Sequence, residues 1–120
     1  MGKDERENRI DFIELPAQGV EELQKAKAFY TGVFGWDYKD WGGDYADTRA
    51  SGLGSGINAD PAHRPGHPLA VVYVSDLEAS RRKVLASGGA VTREIFCFPG
   101  GRRFHFTDPA GNELAVWSDR

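Results

Sequence analysis

Four polar residues set among apolar strand sequence are the candidates for chemistry: Glu14, Tyr73, His105 and Glu113. Glu14 lies in the run Phe12-Ile13-Glu14-Leu15, and a carboxylate held on an apolar wall is desolvated, the setting of a general base. An arginine partner or a place at the rim would make the same residue structural. His105 suits proton transfer or ligand anchoring, and equally a hydrogen-bonded structural role. Tyr73, with Trp41 and Trp117, offers an aromatic lining for a planar ligand.

Other conspicuous residues read as bland. His63 and His67 are separated by Arg64-Pro65-Gly66, which forbids the helix that would align them, so they read as solvated loop residues. Cys97 follows Phe96 without a basic neighbour and reads as an inert core thiol. Gly100-Gly101-Arg102-Arg103 joins two strands and lacks the spacing of a phosphate loop; it reads as a mobile hairpin whose arginines face water or an anionic ligand.

Composition narrows the partners. At 120 residues the chain can bury one real core, with 40% hydrophobic and 28% charged residues. A net charge of -3 without a basic stripe argues against nucleic acid. One cysteine cannot form an internal disulfide. No apolar run has the length of a membrane span or the form of a signal peptide, and Arg6 stands where a myristoylation signal needs Ser or Thr. A cytoplasmic location is expected.

The elements that must position these residues fall in two rounds. Residues 1–8 are polar and predict a loose tail. A strand over Ile10–Leu15 stops at Pro16. A helix from about Val20 to Phe34 presents Leu23, Ala26, Tyr30, Val33 and Phe34 at helical spacing and closes at Gly35. Trp36–Trp41 and Tyr45–Ala50 predict strands, and a weaker one surrounds Ile57. The proline-rich stretch 60–68 predicts a linker. The pattern then restarts: strand Leu69–Val74, a helix capped by Asp76 and ended by Gly88-Gly89, and strands Ala90–Phe98, Arg103–Thr107 and Glu113–Ser118. Val20-Glu21-Glu22-Leu23 and Gly35 recur at one constant offset as Val74-Ser75-Asp76-Leu77 and Gly89. An internal repeat of strand, helix and three strands follows, with a first module over about 9–59 and a second over 69–118 in one domain spanning 9–120.

Two segments carry a resemblance. Ala28-Phe29-Tyr30 … Val33-Phe34-Gly35-Trp36 and Phe106-Thr107-Asp108-Pro109-Ala110-Gly111-Asn112 resemble two signatures of the glyoxalase, bleomycin-resistance and extradiol-dioxygenase proteins, the vicinal oxygen chelate superfamily. The resemblance spans roughly residues 9–118. It implies an α+β fold of two βαβββ modules forming a curved mixed sheet with a concave cavity. It also implies a homodimer.

Strand alternation then assigns the cavity wall. Ile13 and Leu15 should face the first helix, leaving Phe12 and Glu14 inward. Leu69, Val71 and Tyr73, then Glu113, Ala115 and Trp117, should also face inward, joined across the last hairpin by His105 and Thr107. The metal ligand positions that the resemblance implies fall on Phe12, Leu69 and Ala115, which cannot coordinate an ion. Glu14, His105 and Glu113 form a conceivable substitute donor set outside those positions.

Expected ligand-binding residues are Phe12, Trp41, Leu69, Tyr73, Glu113, Ala115 and Trp117, with no metal and no cofactor. Two functions fit. One is a metal-free binder of a small organic molecule, similar to the antibiotic-sequestering members of the family. The other is a metal-independent lyase or isomerase in which Glu14 moves a proton and His105 or Tyr73 steadies charge. A metal-dependent glyoxalase or dioxygenase fits less well. Action through a protein partner would need an apolar patch outside the cavity, and the sequence shows no sign of one.

Overall fold

The computed structural model describes residues 4–120. In chain order its elements are β1 (Arg9–Pro16), α1 (Val20–Phe34), β2 (Lys39–Asp40), β3 (Tyr45–Thr48), β4 (Gly54–Asn58), β5 (Leu69–Tyr73), α2 (Leu77–Ala86), β6 (Ala90–Phe98), β7 (Gly101–Thr107) and β8 (Glu113–Ser118). The chain divides into two units, Phe12–Leu69 and Ala70–Arg120, the latter with the chain up to Asp11. We call them the first and second modules.

Both modules have one topology. In the first the strand order is β2-β3-β4-β1, with β1 parallel to β4 and the other pairs antiparallel. In the second it is β5-β8-β7-β6, with β5 parallel to β8 and the rest antiparallel. Each unit is thus a βαβββ module carrying a mixed sheet, the α+β architecture that the sequence predicts. A parallel pair needs a crossover, and each module's helix lies within it.

The second module packs as the alternation predicts. Val74, Leu77, Phe104 and Val116 form a buried cluster, with Val72, Val84, Val91, Ile95 and Phe106 against it. Asp76 caps α2, its side chain accepting from the Ala79 amide at 3.0 Å. These contacts place Val72 and Val116 on the helix side of the sheet. Val71, Tyr73, Ala115 and Trp117 are left for the opposite face.

In the first module the helix is less covered than its spacing predicts. Ala17, Leu23, Ala46, Ile57 and Ala59 form the core, joined by Ala26, Tyr30 and Tyr38. Val33 and Phe34 are 55% and 60% exposed, and Phe29 is 61% exposed. The reason is length: β3 and β4 have only four and five residues, and the core they build reaches no further along α1 than Tyr30. Trp36 leaves the expected strand, which shrinks to Lys39–Asp40, and stacks on Tyr30 and Phe34 at ring separations of 5.3 and 5.1 Å. An apolar patch on α1 therefore exists where the sequence shows no sign of one. Gly35 closes the helix in the left-handed conformation (φ 75°), its amide donating to the Thr31 carbonyl.

Residues 4–8, within the segment expected to be loose, form a turn and dock on the second module. The Asn8 amide donates to the Tyr73 carbonyl at 2.8 Å, and the Ser75 amide donates to Glu7 Oε1 at 2.9 Å.

Candidate functional site

The face of the second module away from α2 is built from cross-strand rows. Tyr73 pairs with Trp117, Trp117 with Arg103, and Arg103 with Phe96. The next row is Val71, Ala115, His105 and Arg93. Directly paired residues share a face, so aromatic rings and cationic groups alternate on one surface. The expected pairing of His105 with Ala115 is present, and Thr107 pairs with Glu113.

Arg103 is 8% exposed and His105 is 5% exposed. The Arg103 guanidinium carbon lies 5.3 Å from the Phe96 ring centre and 5.9 Å from that of Phe98. Arg93 approaches the Phe96 ring at 4.1 Å. The His105 ring lies 5.9 Å from Phe96, and its Nδ1 is 3.9 Å from Glu113 Oε2, which also accepts from the Thr92 hydroxyl at 2.7 Å. Phe98 continues the aromatic wall to Trp117 at 6.3 Å. The sequence places Arg103 both at the start of a strand and on a mobile hairpin facing water or an anionic ligand; in the structure it is buried within β7. Its place two residues before His105 in an extended strand was the signal that it shares the His105 face.

Tyr73 and Trp117 meet edge to face at 5.1 Å, with their polar atoms already engaged. The buried Tyr73 hydroxyl donates to Asp119 Oδ1 at 2.7 Å, and Trp117 Nε1 donates to Asp11 Oδ1 at 2.9 Å. Burial, then the Asp119 hydrogen bond, pushes the Tyr73 phenol above its ordinary value. The Tyr73 hydrogen bond, then that of Arg6, holds the Asp119 carboxyl below its ordinary value. Burial raises the Asp11 carboxyl, against the opposing hydrogen bond from Trp117.

In the first module Glu14 is 2% exposed and accepts from Asn58 Nδ2. Glu14 pairs with Gly56, and Phe12 and Tyr45 close over that glycine: a β-carbon there would lie 3.0 Å from Phe12 Cζ and 2.5 Å from the Tyr45 hydroxyl oxygen. Phe12 and Glu14 therefore share one face of β1. Ile13 and Leu15 lie on the other, lining a shallow pocket of about 210 Å³ with Tyr30, Trp36, Ser51, Leu53 and Ser55. Leu69 is fully buried. Trp41 is 51% exposed, with Lys39 Nζ 4.2 Å from its ring centre and its Nε1 donating to Asp47 at 3.1 Å.

Two bland readings can be compared directly. His63 pairs with Asp60 at 2.7 Å and His67 is an exposed loop residue. Cys97, expected in the core, is exposed instead: β6 is an edge strand paired only to β7 within its module.

The positions that the resemblance implies as metal ligands do not fit a divalent ion. Phe12, Leu69 and Ala115 offer no donor atom, and among the described residues no three His, Cys, Asp or Glu side chains are grouped so as to hold one. His105 and Glu113 bring two candidate donors together within the second module, with Nδ1 and Oε2 3.9 Å apart.

The family model of the Glyoxalase/Bleomycin resistance protein/Dioxygenase superfamily matches residues 9–116. The chain belongs to that superfamily. It is 33% identical over 103 residues to the proteins named "Putative glyoxylase CFP32" of Mycobacterium bovis and Mycobacterium tuberculosis, a match covering 77% of this chain and 40% of theirs. The chain thus spans about two fifths of those relatives. Among solved structures it is similar to the Mn(II)-bound glyoxalase of Novosphingobium aromaticivorans, with TM-score 0.62, 23% identity and coverage of 95% of this chain and 39% of that one. It is also similar to a glyoxalase/bleomycin resistance protein/dioxygenase superfamily member of Vibrio splendidus, with TM-score 0.64, 15% identity and coverage of 89% and 96%. At these identities the structures speak for the fold alone. Among the described residues no helix is long and apolar enough to cross a membrane.

Proposed function

We propose that the protein binds a small planar organic anion on the aromatic and cationic face of its second module, without a divalent metal. The observation that carries this reading is the setting of Arg103, a residue 8% exposed whose guanidinium is framed by the rings of Phe96 and Phe98, one alternation away from His105. The planar fork of a guanidinium suits a carboxylate. Aromatic walls supply area, while Arg103 and His105 supply orientation. The ligand would lie across Phe96, Phe98, Ala115 and Trp117, with Glu113 orienting His105.

Proton transfer by Glu14 is a second reading, favoured by one observation. A carboxylate that is 2% exposed and accepts an amide hydrogen bond is held in one rotamer on an apolar strand, as a general base must be.

The homodimer belongs to the same proposal. The exposed Phe29, Val33 and Phe34 of α1 give a surface that a second copy would cover.

A thermal-shift series on chelator-treated protein tests the binding reading. Benzoate and phenylacetate should raise the melting temperature saturably, whereas nickel, zinc, manganese and ferrous iron should not. A ligand at about a hundred times its dissociation constant stabilises by about 2.7 kcal/mol, well within reach of a melting curve. Saturation by a metal near one ion per chain would sink the proposal.

A further inference from the structure

The aromatic corner formed by Tyr73 and Trp117 already holds a cation supplied by the chain itself. The Arg6 guanidinium carbon sits 3.9 Å from the centre of the Tyr73 ring and 5.8 Å from that of Trp117. Its nitrogens donate to Asp4 Oδ1 at 3.1 Å, to Asp4 Oδ2 at 2.8 Å and to Asp119 Oδ2 at 3.0 Å. Asp119 is held in turn by the Tyr73 hydroxyl, and Asp11 accepts from the Trp117 indole nitrogen. A π-face with fixed carboxylates around it is the arrangement that recognises guanidinium and alkylammonium groups.

Two of these groups come from the folded sheet, and Arg6 does not. Tyr73 is fully buried on β5 and Trp117 lies on β8, so the rings are fixed whether or not Arg6 is present. Arg6 precedes β1, and its side chain remains 40% exposed. Partly exposed ion pairs of this kind contribute little to stability. The segment is also held by Asn8 on the Tyr73 carbonyl and by Glu7 on the Ser75 amide, contacts that do not need Arg6.

We propose that the Tyr73–Trp117–Asp119 corner is a binding site for a guanidinium or alkylammonium group, and that Arg6 is its displaceable internal occupant. The segment before β1 then acts as a strap that competes with external cations. The corner shares the Trp117 ring with the anion face but does not use Arg103 or His105, and it selects the opposite charge.

The competition sets the size of the effect. A tethered competitor weakens an external ligand by one plus the ratio of its local concentration to its own dissociation constant, so with Arg6 held at about ten times that constant its removal should strengthen binding of an external cation by about tenfold. The test is a titration with methylguanidinium chloride, followed by the indole N–H resonance of Trp117, assigned with Trp117→Phe. In Arg6→Ala that resonance should move saturably, at concentrations about tenfold lower than in the wild type. The Trp36 resonance should stay in place in both. Arg6→Lys, which keeps a cation, should fall between them. Adding Asp119→Asn to Arg6→Ala should abolish the response. A cooperatively melting Arg6→Ala protein whose Trp117 does not respond would overturn the proposal, as would equal responses in variant and wild type. Benzoate binding, measured on the same samples, reports the anion reading separately.

Discussion

Glu14 and Asn58 are joined by a side-chain hydrogen bond, Nδ2 donating to Oε2 at 3.3 Å, with the two residues 2% and 7% exposed. This bond spans the parallel pair of β1 and β4 diagonally, from Glu14, which faces Gly56, to Asn58, which faces Pro16.

Two substitutions separate structure from chemistry here. Glu14→Gln keeps the shape and an acceptor oxygen, so stability in urea should stay within about 1 kcal/mol of the wild type. Glu14→Ala strands a buried amide donor and should cost about 2–3 kcal/mol. Under the binding reading, Glu14→Gln leaves benzoate affinity within about threefold. Any turnover that vanishes in Glu14→Gln while affinity persists would instead identify a general base.

Tyr73→Phe removes a buried hydroxyl that donates to the Asp119 carboxylate at 2.7 Å. A hydrogen bond to a charged group contributes about 1.5–3 kcal/mol, and the partner here is partly exposed, which places the loss near the lower end. Denaturant melts at pH 7 should show it.

Acid should loosen the strap. Side-chain and backbone hydrogen bonds from Arg6 hold the Asp4 carboxyl at about 2, from an ordinary 3.8, and Asp119 is also depressed, by Tyr73 first and Arg6 second. A depressed carboxyl stabilises the folded state fully above its unfolded value, and that contribution is lost as pH falls through the folded one. The Trp117 signal should therefore change between about pH 4 and pH 2. In Arg6→Ala this transition should shift upward and shrink. An identical titration in both proteins would show that Arg6 does not govern it.

Gly101 opens β7 against the end of β8, where an added β-carbon would collide with the Ser118 carbonyl. That obstacle is backbone and cannot swing away, so Gly101→Ala should destabilise by about 2 kcal/mol or more. A variant as stable as the wild type would mean that the two strand ends separate readily.

The fold was legible because its signals are local and repeated. Gly35 reads as a left-handed cap and is one, Asp76 reads as an N-cap and accepts the Ala79 amide, and Leu23 and Leu77, matched by the repeat, are both fully buried. Alternation also set Glu14 apart from Ile13, and His105 opposite Ala115. What escaped depended on how far a neighbouring element extends. Helical spacing put Val33 and Phe34 on a core face, but nothing in their own sequence says that β3 and β4 are too short to cover them. The Gly-rich neighbours of Arg103 suggest a mobile hairpin whose arginines face water or an anionic ligand, and the polar start around Arg6 suggests a tail. Both lie against aromatic rings, Arg103 against Phe96 across the β6–β7 hairpin and Arg6 against Tyr73, far along the chain.

The most direct test of the binding account is calorimetric titration of chelator-treated protein with benzoate in the presence of excess EDTA, for the wild type and for Arg103→Gln. The account predicts saturation near one benzoate per chain, unaffected by EDTA, and a loss of about tenfold or more in affinity in Arg103→Gln, the scale of one charge-assisted contact. Binding that appears only after a divalent metal is supplied, or that Arg103→Gln leaves unchanged, would contradict it.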